Sequence, residues 1–144
     1  MKFRVYGVPA PQGSKTAFVR NGKAVVVDGA SKVGREQLSS WRAEVAREAQ
    51  NMRPDDLMLG PLAIDIRFYM PKPKSAPRNK HWCDKKPDID KLIRSTLDAM
   101  TGVVFRDDGQ VCMLSVSKEY AENDDPAGAD INVTPVSSIM PLSS

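Results

Sequence analysis

Hydrophobic and polar positions alternate along this chain with two periods, and the changes of period lay out its elements. Lys2 to Val8 puts Phe3 and Val5 on one side and Arg4, Tyr6 and Val8 on the other, which predicts a first strand. Pro9 to Ser14 reads as a loop. Ala17-Phe18-Val19 and Ala24 to Val27 flank Arg20-Asn21-Gly22-Lys23, and Asn-Gly between β-formers predicts a hairpin. From about Gly34 to Met52, Leu38, Trp41, Val45, Ala49 and Met52 recur at helical spacing with Arg and Glu on the other face, and Pro54 ends the run. Trp41 lies on the apolar stripe and is expected in the core. Leu62, Ile64, Ile66, Phe68 and Met70 alternate with Ala63, Asp65, Arg67 and Tyr69, the clearest strand in the chain. Another strand is expected from Val111 to about Tyr120 and a short last one from Ala129 to Thr134, with a loose tail from Pro135.

Between the strand that ends at Met70 and the strand expected from Val111 lies Lys86-Pro-Asp-Ile-Asp-Lys-Leu-Ile-Arg94. Pro87 holds Lys86 extended and favours a helix start directly after it. Ile89, Ile93, Thr96, Leu97 and Met100 then recur as one face of an amphipathic helix, which Gly102 is placed to end. Val103-Val104-Phe105 is expected to run out extended, and Asp107-Asp108-Gly109 to turn into the strand from Val111. The predicted fold is therefore α/β: one domain over residues 1–134, a mixed sheet of about five strands with two main helices, and a flexible tail over 135–144.

This order places two acidic pairs, Asp88/Asp90 and Asp107/Asp108, at the two ends of one short helix, where a return of the chain could set both around one point. The bland alternatives are helix capping and an Asp-Gly turn. One cap needs one Asp, however, and not two spaced by a single residue. Carboxylates that converge repel each other unless a cation neutralises them. Oxygen ligands without His or Cys suit a hard ion such as Mg²⁺, with Mn²⁺ as a substitute. An EF-hand loop is excluded, since Ile93 stands where that loop requires Gly. Zinc is not supported either: His81-x-Cys83 has no second pair of ligands to complete it.

Pro71 to Lys86 differs from its surroundings. Lys72, Lys74, Arg78, Lys80, Lys85 and Lys86 stand against Asp84 alone, a net +5 in a chain of formal charge +3, so the remainder carries −2. Three prolines and no apolar period predict an irregular, mobile loop, reaching to residue 87. Such a stretch is often only a solvated linker. Here it leads straight into the acidic cluster, the order a phosphate backbone requires: cations to hold the polyanion, carboxylates and metal to cut it. Trp82 in this loop could stack on an exposed base or pin the loop to the body. Lys15, Lys91 and Lys118 are further candidates for phosphate contact.

Length and composition agree with one soluble domain of 144 residues: charge of both signs, no apolar run of transmembrane length and no signal-peptide pattern. The two isolated cysteines, Cys83 and Cys112, predict a reducing, cytoplasmic location without disulfides. Neither a membrane nor a small-molecule cofactor is expected.

The stretch from Lys86 to Val111, with the acidic pair, the helix carrying Asp98-Ala and the later Asp-Asp-x-Gln, resembles the RusA family of Holliday-junction resolvases (crossover junction endodeoxyribonucleases). Pro9-Ala-Pro-Gln-Gly-Ser-Lys15 is also similar to the opening of many members. The resemblance implies that Asp88, Asp90 and Asp108 bind the metal. It maps a family lysine onto Arg94 and replaces a family asparagine by Lys91. It also implies a homodimer that nicks two strands of a four-way junction symmetrically, in DNA recombination and repair. The expected reaction is hydrolysis of a phosphodiester assisted by one or two metal ions, with Asp107 a turn residue, an outer residue of the site or a further ligand, and Arg94 orienting a carboxylate or stabilising the scissile phosphate. The ordinary alternative for Arg94 is an ion pair with Asp90 one helical turn away. The rival functions are a nuclease preferring forks or flaps and a junction-binding module without catalysis.

Overall fold

The structure, a computed structural model, describes residues 1–13, 15–20, 23–28, 32–122 and 124–139, the segments 15–20 and 23–28 by their backbone alone. Its strands are β1 (Lys2–Tyr6), β2 (Lys15–Arg20), β3 (Lys23–Asp28), β4 (Leu62–Met70), β5 (Val111–Tyr120) and β6 (Gly128–Pro135). The helices are α1 (Lys32–Met52), α2 (Ile89–Met100) and the single turn α3 (Val136–Ile139). A four-stranded mixed sheet runs in the order β1-β6-β4-β5, and β2 and β3 form a separate hairpin. Four strands plus a hairpin thus stand where about five were expected, within an α/β fold. Arg20 pairs with Lys23 across the hairpin, the register its sequence predicts, while Asn21 and Gly22 lie outside the described residues.

β6 pairs antiparallel to both β1 and β4, and β4 pairs parallel to β5. Parallel neighbours need a crossover, and α2 lies within the connection from β4 to β5. Phe3 and Val5 of β1, Ile64, Ile66 and Phe68 of β4, and Ala129, Ile131 and Val133 of β6 are buried, as alternation requires. Trp41, Val45 and Ala49 of α1 and Leu92, Ala99 and Met100 of α2 join the same core. Two polar groups enter it as partners of each other: Thr96 donates to the Leu92 carbonyl at 2.8 Å and accepts from Trp41 Nε1 at 3.2 Å. Trp41 is therefore a core anchor, with its one donor satisfied. Gly128 is required by contact, because a Cβ there would come within 2.1 Å of the Val5 carbonyl oxygen.

Two local expectations are corrected. Val103-Val104-Phe105 does not run out extended. It closes a turn in which Gly102, at φ +83°, donates to the Phe105 carbonyl at 2.7 Å. Val104 and Phe105 are fully buried by this turn, and an apolar run of three has no period to distinguish a buried turn from a strand. The start of the expected tail is also ordered. β6 continues to Pro135, opposite Leu62, and Val136 opens α3 with its N–H on the Pro61 carbonyl at 3.0 Å. Residues 140–144 lie outside the described residues. No helix among the described residues is long and apolar enough to cross a membrane.

Candidate functional site

Asp88 occupies the N-cap position of α2, with φ −68° and ψ 139°, yet its side chain accepts no capping hydrogen bond. The capping explanation therefore fails for this residue. Its carboxylate instead faces ammonium groups: Lys86 Nζ reaches both oxygens, at 2.9 and 3.1 Å, and Lys91 Nζ lies 3.8 Å away. The Lys86 hydrogen bond, reinforced by the charges of Lys86, Lys91 and Lys118, holds the Asp88 carboxyl below the ordinary carboxylate range. Asp90, in the first turn of α2, is exposed. Both line an open cleft of about 880 Å³ together with Trp82, Lys85, Lys86 and Lys118. Asp88 also lines a second cleft, of about 500 Å³, on which Pro9, Pro11, Lys91 and Tyr120 border.

The approach to Asp88 is fastened from β5. Lys118 Nζ donates to the carbonyls of Lys85 and Pro87, each at 2.6 Å. This is a task the sequence did not disclose, since it depends on two carbonyls more than thirty residues away. Lys118→Met is expected to lower stability by about 1–2 kcal/mol, the scale of charge-assisted bonds partly open to water. It should also weaken any activity that depends on Asp88, and thermal melts beside activity measurements on the same preparation check both. From the other side, Ser95 Oγ donates to the Ala10 carbonyl at 2.6 Å and the Gln12 N–H to the Lys91 carbonyl at 3.0 Å. These bonds lay the segment Pro9 to Gln12 against the start of α2. The Lys15 side chain lies outside the described residues.

The second acidic pair is built differently. Asp107 caps a 3₁₀ turn, Asp108–Gln110, by accepting from the Gly109 N–H at 2.8 Å. Gln110 completes the capping box by accepting from the N–H groups of Arg106 and Asp107 at 3.0 and 3.1 Å. Its Nε2 reaches back to the carbonyls of Met58 and Gly60, which fixes this turn to the chain entering β4. Asp107 is therefore a turn residue. Asp108 is left exposed and crowded by negative charge. Its hydrogen bond with Asp107, then the charges of Asp107 and Asp98, raise its carboxyl above the ordinary value. Asp98 is thus the α2 residue whose charge Asp108 feels.

Among the described residues no three His, Cys, Asp or Glu side chains are gathered closely enough to hold an ion. The two acidic pairs are thus not drawn around one point; Asp88 and Asp90 share a cleft, and Asp108 stands by Asp98. The donor chemistry nevertheless fits a hard cation. Asp88 already holds a cation on both oxygens, the Lys86 ammonium, and the Asp108 carboxyl is raised by its hydrogen bond with Asp107 and by the negative charge around it. Arg94 is exposed on α2 and, among the described residues, forms no ion pair with Asp90, which removes its ordinary role as a helix-surface pair.

The basic loop is irregular, as expected, but attached. Cys83 N–H donates to the Lys118 carbonyl at 3.1 Å and Tyr120 N–H to the His81 carbonyl at 2.8 Å, which stitches residues 81–83 to the edge of β5. Lys72 Nζ is engaged by the Arg78 carbonyl at 2.7 Å and Lys80 by Asp84 at 2.9 Å. Lys74, Arg78 and Lys85 are exposed and, among the described residues, form no ion pair.

Asp88 and Asp90 share the cleft at the start of the crossover helix with Lys85, Lys86 and Lys118. The family model for endodeoxyribonuclease RusA matches residues 8–134, and the chain belongs to that family. It is an endodeoxyribonuclease by family, a hydrolase acting on DNA. It is also similar to the uncharacterized protein YqaN of Bacillus subtilis (strain 168), at 34% identity over 132 residues, which cover 85% of this chain and 89% of that protein.

Proposed function

We propose that this protein is a Mg²⁺-dependent endodeoxyribonuclease that resolves four-way (Holliday) junctions by paired phosphodiester hydrolysis, acting as a homodimer in recombination and repair. The observation that carries this reading is the Asp88 carboxylate, released from capping and surrounded by Lys86, Lys91 and Lys118 in the cleft that also holds Asp90. Asp88, Asp90 and Asp108 are the proposed ligands of the ion, with Mn²⁺ as a substitute; Asp88 and Asp90 already share a cleft, and Asp108 would have to move toward them for all three to hold it. When bound, a divalent ion supplies an activated water and neutralises charge developing on the phosphate oxygens. The chain's own residues bind and orient the strand. Lys85, Lys86 and Lys91 attract the phosphates on either side of Asp88, and Lys118 keeps the Lys85–Pro87 carbonyls, and so Asp88, in place. Arg94, exposed on the same helix, offers a guanidinium to the scissile phosphate.

Incubating the protein with labelled four-way junction, fork, flap and linear duplex, with and without Mg²⁺, tests this directly. Symmetric nicks in the junction that require the metal are expected. Metal-independent binding without any cleavage would leave a binding module, and preferential cutting of forks or flaps would change the substrate class.

The basic loop supplies a separate test. Changing Lys74, Arg78 and Lys85 together to Gln is expected to weaken junction binding without lowering the melting temperature, because none of the three side chains holds the loop in place. The slope of log affinity against log salt should flatten by up to about 0.9 for each phosphate that the variant no longer neutralises. An unchanged slope would make the loop a linker.

A further inference from the structure

Trp82 stands out in the cleft beside Asp88 and Asp90 because nothing in the fold requires its ring. The segment that carries it is anchored by backbone: Cys83 N–H to the Lys118 carbonyl, Tyr120 N–H to the His81 carbonyl, and a bridge from Trp82 itself to Glu119. The indole contributes little to that anchoring, since Trp82 remains 58% exposed. Large exposed apolar groups on a monomer mark binding surfaces when they gather at a site. Here Ile89, 37% exposed, and Val116 line the same cleft.

The ring is also held in orientation. His81 packs edge-on against it, with centroids 4.6 Å apart and an interplanar angle of 86°. His81 is itself bracketed by Glu119, at 3.4 Å, and Glu122, at 3.3 Å. A flat, buttressed aromatic surface thus shares one open cleft with the ammonium groups of Lys85, Lys86 and Lys118. That combination fits one class of ligand. A base needs a π-face to stack on, and the phosphates beside it need cations. In a continuous duplex the base faces are occupied by their neighbours, so only an unpaired or unstacked base can use such a surface.

We infer that Trp82 forms a stacking site for an unpaired nucleobase next to the phosphate presented to Asp88 and Asp90. The inference rests on the nuclease reading above and adds to it a structural feature of the substrate: a base displaced from the stack, as at a strand exchange point. Trp82 is then a positioning residue, setting the strand in the cleft, and discrimination against intact duplex follows from the cost of unstacking a paired base.

The 144-residue chain carries its own probe. It has two tryptophans, and Trp41 is 1% exposed, so DNA in contact with the surface can quench only Trp82 directly. Intrinsic fluorescence and anisotropy of labelled DNA are recorded together without divalent ions, using oligo(dT), a four-way junction and a linear duplex. Oligo(dT) and the junction are expected to quench the emission as they bind, the duplex to bind without comparable quenching, and Trp82→Leu to abolish the quenching. Trp82→Leu should also lose roughly tenfold or more in affinity for oligo(dT), and Trp82→Phe should recover most of it. Junction binding by anisotropy with no change in emission would overturn the stacking site while leaving the nuclease reading intact. So would equal quenching by duplex, or wild-type affinity in Trp82→Leu. No binding to any of the three DNAs would overturn both.

Discussion

Asp90→Asn is expected to abolish junction cleavage while junction binding stays within a few-fold of the wild type. The substitution removes a proposed metal ligand and, with it, one negative charge beside the bound phosphate, so binding has no electrostatic reason to fall. Folding should be unaffected, since Asp90 is exposed at the start of α2. Asp88→Asn should behave in the same way in cleavage. The depressed Asp88 carboxyl stabilises the fold at pH values above its unfolded value, and that contribution is lost as the pH falls through the folded one. Its ion pairs are exposed, so the effect on melting is small. Asp108→Asn has the opposite stability sign: the hydrogen bond with Asp107, then desolvation and the charges of Asp107 and Asp98, raise its carboxyl, so the charged form costs stability that the neutral amide does not. A loss of cleavage in Asp108→Asn could not then be ascribed to unfolding. Gel assays of nicked junction, binding by anisotropy and thermal melts on the same preparations provide the three readouts. Undiminished cleavage in purified Asp90→Asn would remove it from the site.

Arg94→Ala is expected to reduce the single-turnover cleavage rate about a hundredfold or more, the usual loss when a positioned group that stabilises transition-state charge is removed. The melting temperature should barely move, because the side chain is exposed and not engaged with Asp90. The structure sharpens this prediction, since a helix-surface ion pair no longer competes as an explanation for the residue. Arg94→Lys separates charge from geometry. If a point charge at this position suffices, lysine keeps much of the rate; if two parallel hydrogen bonds to phosphate are needed, it falls well below arginine. We expect lysine to be partly active. Full activity in Arg94→Ala would exclude Arg94 from the chemistry.

Much of the fold was legible because its elements bury one face each. The alternation in β4 and the 3.6-residue spacing in α1 and α2 are direct records of which side chains leave water, so periodicity places them. The hairpin was legible for a different reason: Asn-Gly is a local conformational preference that needs no tertiary partner. The apolar run Val103–Phe105 had neither signal. Only the packing of the turn after α2 decided that it closes on itself with Val104 and Phe105 buried.

At the site, residue types and spacing put Asp88 and Asp90 together at the start of α2, where they share a cleft, and the charge count alone isolated the basic loop. Capping could not be judged from sequence, because Asp at an N-cap position is equally compatible with a side chain turned back to the N–H groups and one turned outward. The tertiary structure turned Asp88 outward by placing Lys86, Lys91 and Lys118 around it. It likewise assigned Asp107 to a turn through Gln110 and gave Lys118 the carbonyls of Lys85 and Pro87 to hold. Several of these contacts join segments distant in the chain. A linear pattern records how a residue meets water or its near neighbours, whereas such contacts depend on where β4 and β5 bring α2 and the loops, and only the folded arrangement contains that information.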